Sequence, residues 1–149
     1  MATQSFTFPA RLIEDEDGRY VVTFRDVPEA LTDGATVEEA LAEAKDCLDV
    51  ALLSYVDDAR LPRPIPVPSK RCAGEHMVAI TPRSTVKLAL HQALRDQRIK
   101  VKDFAGMLGV SETVARRLLD PNYRSDFDKI VEALQVVGRR VETRVLEAA

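Results

Sequence analysis

The chain has 149 residues, of which 46% are apolar and 30% charged, the composition of one ordinary folded domain or two small ones. With 5% aromatics and no Trp, the core must be built from Val, Leu, Ile and Ala. No apolar run nears the ~20 residues of a membrane span, the polar start lacks signal-peptide character, and Cys47 and Cys72 are too few for a disulfide framework or a four-ligand metal set. A secreted, membrane or metal-stapled protein is therefore not expected.

The net charge of −3 is unevenly spread. Residues 1–68 hold 6 Lys/Arg and 14 Asp/Glu, −8, whereas residues 69–149 hold 15 and 10, +5. Such a split suits two surfaces, one for a basic partner and one for an anionic one. Charge alone leaves ordinary solvated faces as an equal reading.

Phe6, Phe8, Ala10 and Leu12 alternate with Thr7, Arg11 and Ile13, the pattern of a strand. Asp17-Gly18 marks a turn, and Tyr20–Phe24 resumes as the second strand of a hairpin. Pro28 leaves room for a short third strand at Ala30–Thr32. Thr36 and Glu39 have capping-box spacing. They precede a stripe of Val37, Ala40, Leu41, Ala44, Leu48, Ala51, Leu52 and Tyr55, one face of a long helix. Cys47 borders that stripe and reads as a small buried thiol rather than a reactive one. Pro62, Pro64, Pro66 and Pro68 end the helix; a stiff surface connector is favoured over a polyproline ligand. His76–Thr81 reads as a further strand of the same sheet. His76 and His91 stand without partners at ligand spacing and are assigned no chemistry.

From Ser84 the period becomes helical. Val86–Leu94 forms one helix and Phe104–Leu108 a second; Gly109 ends it and Ser111 caps a third, with Val114, Leu118 and Leu119 inward. Ser125 and Asp128 have cap spacing before a fourth helix at Phe127–Val137, and Val141, Thr143 and Val145 alternate as a short terminal strand. Ala105, Gly109 and Val110 suit a helix-turn-helix: a small residue for close approach, a tight turn, an apolar plug beneath it. Ser111, Glu112 and Thr113 then point at base edges, with Arg116 and Arg117 as phosphate or guanine ligands and Lys102 and Arg124 as backbone contacts. The competing reading is a plain helical bundle.

These residues resemble a family. Phe24-Arg25-Asp26-Val27-Pro28, Thr32-Asp33-Gly34-Ala35-Thr36 with Glu39-Ala40, and Ile65-Pro66-Val67-Pro68-Ser69 are similar to the HicB antitoxin domain. Arg117–Pro121, Ser125, Ala133-Leu134 and Gly138–Arg140 resemble the lambda-repressor-like helix-turn-helix that many HicB proteins carry. Arg25 and Glu29 stand where the family usually has Pro and Gly, and Ala115 where a larger aliphatic residue is usual, which leaves Val114 and Leu118 to fill that core.

The resemblance implies an α+β protein. Residues 1–82 would form a partial RNase H fold, a small antiparallel sheet with one packed helix. Residues 83–149 would form an all-α helix-turn-helix domain with a short C-terminal strand. It implies an antitoxin that occludes a small basic HicA toxin, an mRNA-cleaving ribonuclease with an active-site His, and represses its own operon at operator DNA. Glu14, Asp15, Glu16, Asp17, Asp26, Glu29 and Asp33 would supply the acidic field, with Asp15, Asp17, Asp26, Glu29 and Asp33 as toxin contacts. No catalytic residue, metal or cofactor is expected. Metal-dependent nuclease chemistry needs converging carboxylates, whereas Glu38, Glu43, Asp46 and Asp49 read as a solvated helix face. A homodimer or higher even oligomer is expected, because one helix-turn-helix reads half a site; strand 140–146 offers an edge for it. The setting expected is the bacterial cytoplasm, at the nucleoid when repressing, with no membrane contact. The alternative is a stand-alone repressor with a ligand- or protein-sensing first domain.

Overall fold

The computed structural model describes residues 3–57 and 63–147. Strand β1 (Thr7–Glu14) pairs antiparallel with β2 (Tyr20–Phe24), placing Ala10 opposite Phe24 and Leu12 opposite Val22. This register puts the alternating apolar residues on one face, where Phe8, Ala10, Val22 and Phe24 are buried. At the turn, Asp15 Oδ1 accepts the backbone N–H of Asp17 and of Arg19, each at 2.9 Å, and Gly18 takes φ +77°.

The third strand, β3 (Leu31–Gly34), lies one residue beyond the expected start, because Ala30 N–H is held by the Val27 carbonyl at 3.0 Å. Helix α1 (Val37–Asp57) packs its Ala40, Ala44, Leu48, Ala51, Leu52 and Tyr55 onto the sheet. Thr36 Oγ1 accepts Glu39 N–H at 3.1 Å, and the Glu39 carboxylate reaches back to Ala35 N–H at 3.2 Å. Close packing here requires Gly34: a Cβ would lie 2.4 Å from the Ala40 backbone nitrogen. Strand β4 (His76–Ala79) joins the outer edge of β1, giving the order β3-β2-β1-β4. It is shorter than expected because Thr81 instead caps the next helix. Pro64, Pro66 and Pro68 lie in a segment without regular structure, and Pro62 lies outside the described residues.

Helix α2 (Pro82–Asp96) serves two cores. Leu88 joins the sheet-and-α1 core, while Val86, Leu90, Ala93 and Leu94 belong to a second core. That second core is completed by α3 (Val101–Leu108), α4 (Glu112–Leu119) and α5 (Phe127–Val136). Asp49 of α1 ties the halves together, accepting from Thr81 N–H at 2.9 Å, Thr81 Oγ1 at 2.7 Å and Ser84 Oγ at 3.1 Å. It is therefore half-buried and engaged, not part of a solvated face as expected.

Four further expectations are corrected. Among the described residues, 139–147 form no strand, and Val145 is 94% exposed; none of the four sheet strands pairs with the segment, so its alternation has no ladder to join. Val114 and Val110 face solvent, and Ala115 with Leu119 forms the buried face of α4. The α3–α4 approach is too close for a larger inward side chain. The N-cap of α5 is Asp126, which accepts Asp128 N–H at 2.8 Å, because the Ser125 hydroxyl is drawn inward. Cys47 is half-buried, its Sγ 3.6 Å from the Leu31 carbonyl.

Candidate functional site

The α3–α4 pair is joined by residues 109–111. Gly109, at φ +68°, is left-handed, and the N–H groups of Gly109 and Val110 return to the carbonyls of Gly106 and Ala105 at 3.2 and 3.1 Å. Ser111, in extended conformation, accepts Val114 N–H at 3.3 Å and so starts α4. With Ala115 and Leu119 packed inward, Glu112, Thr113, Arg116 and Arg117 are exposed. Glu112 pairs with Arg116 at 3.1 Å, one helical turn apart, and Arg117 stacks 5.5 Å from the Tyr123 ring centre. Lys102 and Arg124 are exposed and make no ion pair among the described residues. Of the seven residues expected to meet DNA, Ser111 has its hydroxyl committed to the cap; the other six leave polar groups facing water.

The far end of α4 is held by residues the sequence did not mark. Lys87 of α2 is 3% exposed, and its ammonium donates to the carbonyls of Asp120 and Tyr123, both at 2.5 Å. It also lies 3.4 Å from Ser125 Oγ, which donates to the Arg117 carbonyl at 3.1 Å. His91 bonds the Leu119 carbonyl through Nε2. A helix end leaves its last carbonyls unpaired, and a cation there also opposes the helix dipole. Burial lowers the Lys87 pKa, with Asp120 opposing. Burial likewise lowers that of His91, keeping the ring neutral with Nε2–H as donor. The available signal was the spacing of Lys87 and His91, four residues apart on a mostly apolar helix face.

The acidic half presents a different picture. Asp15 holds the hairpin turn, and only Asp17, of the five carboxylates expected to meet a toxin, makes no side-chain hydrogen bond or ion pair among the described residues. Asp26 accepts from Ser69 N–H at 2.8 Å and Ser69 Oγ at 2.6 Å, pinning the segment that follows the prolines. Glu29 accepts from Tyr55 Oη at 2.8 Å and Arg63 at 2.6 Å; Arg63 also lies 3.8 Å over the Tyr55 ring. The Glu29 backbone N–H, with Tyr55 and Arg63, lowers its pKa. Asp33 pairs with Arg19 at 2.5 Å, which lowers the Asp33 pKa.

Both departures from the family pattern are put to use. Arg25 forks onto Glu75, at 2.9 and 3.0 Å, and reaches the Lys70 carbonyl at 2.6 Å. Glu75 is 3% exposed; Arg25 first, then Cys72 N–H, holds its pKa down to about 2. The turn at Glu29 forms without glycine: Ala30 N–H reaches the Val27 carbonyl at 3.0 Å, and the backbone at Glu29 is not left-handed.

A small antiparallel sheet with one packed helix, followed by a helical unit presenting an exposed basic helix, defines an α+β protein of a two-part kind. The family described as HicB-like antitoxin of bacterial toxin–antitoxin systems matches residues 7–89. Antitoxin HicB 2 of Photorhabdus laumondii is 33% identical over 140 residues, covering 94% of this chain and 96% of the relative. Antitoxin HicB of Escherichia coli K12 is 31% identical over 134 residues, 90% and 95% of the two chains. Antitoxin HicB of Pseudomonas fluorescens is 32% identical over 133 residues, 87% of each. The chain belongs to the HicB-like antitoxin family. Among the described residues, no helix is long and apolar enough to cross a membrane.

Proposed function

We propose that the chain neutralises a HicA-type toxin, a small basic ribonuclease, and represses its own operon by placing α4 in the major groove of operator DNA. The observation that carries the DNA half is the division of α4. Ala115 and Leu119 bury one side, and Thr113, Arg116 and Arg117 stand exposed on the others. Lys102 and Arg124 add cations for phosphate contacts.

The toxin half rests on family membership and on the −8 charge of residues 1–68. Asp15, Asp17, Glu29 and Asp33 are exposed and contribute to that field. Asp26 acts chiefly by holding Ser69. The role is occlusion rather than catalysis. The chain acts as a homodimer on a palindromic operator, because one helix of this kind reads half a site. It works in the bacterial cytoplasm, at the nucleoid when repressing.

A mobility-shift assay on the DNA upstream of its own gene tests this reading, with the neighbouring gene product as toxin. Arg116→Ala combined with Arg117→Ala should abolish the operator shift and leave toxin neutralisation intact. A normal shift by the double variant removes α4 from the reading. Failure to capture or inhibit the neighbouring gene product removes the toxin half.

A further inference from the structure

Between the end of α1, the second half of α2 and the flank of α4 lies a cleft of about 710 Å³. That volume is in the range of small-molecule sites. Leu94 and Leu119, both buried, and half-buried Ile99 give it an apolar floor, while Arg98, Lys100 and Arg116 stand exposed on its walls. Arg98 and Lys100 make no ion pair among the described residues. The carboxylates on the walls are engaged: Asp57 accepts from Asn122 Nδ2 at 3.1 Å, and Asp120 Oδ1 accepts Asn122 N–H at 2.9 Å. Arg95 also lines the cleft and donates to the Arg63 carbonyl at 3.1 Å, and Arg116 is paired with Glu112, which leaves Arg98 and Lys100 as the wall cations without an ion pair among the described residues.

Arg98 sits where α2 ends, at φ +54°, and is the one non-glycine residue with a left-handed backbone among those described. Glycine suits that conformation far better. The turn is the Schellman end of α2, with Arg98 N–H on the Arg95 carbonyl at 3.1 Å and Ile99 N–H on the Leu94 carbonyl at 2.9 Å, and it places the Arg98 side chain on the cleft wall.

We propose that this cleft binds a phosphorylated small molecule of the nucleotide class. Its phosphates would meet Arg98, Lys100 and Arg116, and its flat ring would lie on Leu94, Ile99 and Leu119. Guanidinium groups pair with phosphate oxygens in bidentate fashion, and an apolar floor suits a ring face. A duplex backbone offers phosphates but no ring face for the apolar floor, so the pairing of floor and cations suits a small ligand that carries both. Arg116 now pairs with Glu112 on the exposed side of α4. A phosphate that draws Arg116 inward takes it from that surface, so the ligand lowers operator affinity. This consequence rests on the operator reading above; ligand binding itself does not.

Isothermal titration of the full chain with ADP and GDP tests the cleft, with adenosine and inorganic phosphate as comparisons. The diphosphates should bind, with adenosine and inorganic phosphate at least about tenfold weaker. Arg98→Gly should weaken the diphosphates about tenfold while leaving the thermal midpoint unchanged or raised, since glycine relieves the backbone. Lys100→Ala should weaken them as well. Absence of diphosphate binding at about 1 mM, equal binding by Arg98→Gly, or equal affinity for inorganic phosphate each overturns the proposal. Operator shifts run without nucleotide separate the two readings. Arg98-dependent nucleotide binding by a chain that shifts no operator upholds the cleft and removes the operator reading. An Arg98→Gly chain that loses operator affinity, with no nucleotide bound by either form, assigns these cations to DNA and overturns the cleft.

Discussion

The Lys87 ammonium and the Asp120 main-chain carbonyl meet at 2.5 Å, joining the middle of α2 to the end of α4. The pairing fixes the helix that carries Arg116 and Arg117 against the helix shared by both cores. Lys87→Met keeps the apolar stem and leaves the Asp120 and Tyr123 carbonyls without their donor. It should destabilise the chain by about 1–3 kcal/mol, the range for stranding a buried polar group. Urea unfolding measures this, and operator affinity should fall with it. Unchanged stability would mean that water replaces the ammonium without loss.

His91, on the Leu119 carbonyl, gives the same end of α4 a pH dependence. Its folded pKa is lowered, chiefly by burial, so below the ordinary His value of about 6.5 the unfolded chain takes up a proton first. The contribution is full above that value and declines as pH falls toward the folded one. Stability should therefore decline between pH 7 and pH 5.5. His91→Gln, which keeps an N–H donor for Leu119, should flatten that part of the profile. A profile that His91→Gln leaves unaltered would assign the slope to other groups.

Glu75 acts further into acid. Arg25 holds its folded pKa at about 2, against an ordinary value of 4.5. Its stabilisation is present above the ordinary value and is lost as pH falls through about 2. Glu75→Gln should lower the urea midpoint at pH 7 and reduce its pH slope below the ordinary Glu value. If the variant titrates like the parent, the Arg25 pair does not carry the acid sensitivity.

Gly34→Ala tests the seat of α1 on the sheet. The added Cβ would stand 2.4 Å from Ala40 N, a backbone atom that cannot swing aside. The helix must shift, at a cost of about 1–3 kcal/mol or more. The thermal midpoint reads this directly, and a midpoint within a degree of the parent would show that α1 shifts freely.

Local signals were legible where neighbours in sequence decide the outcome. The Phe8–Ala10 alternation, the Asp17-Gly18 turn, the Thr36/Glu39 cap and the Gly109 turn all form where their spacing placed them. The inward side of α4 is not legible in the pattern, because Val114 and Ala115 are adjacent and apolar periodicity favours the larger residue. In the second core, where Ala115 is buried with Phe104 and Ala105 of α3, the smaller residue is the one turned inward. The acidic residues were legible as a charge and not as individuals. Asp26 and Ser69 are 43 positions apart, and Arg25 and Glu75 are 50 apart.

By itself, the sequence determined the periods of the sheet strands and of the helices, the family and the charge division between residues 1–68 and 69–149. Each follows from composition or from contacts within a few residues. Only the tertiary structure decided which carboxylates are engaged, that α2 belongs to both cores, and that Lys87 and His91 finish α4. It also brought Arg98, Lys100 and Arg116 around one cleft. Such partners come from separate turns of the chain, and periodicity carries no record of what stands across a core or a cleft.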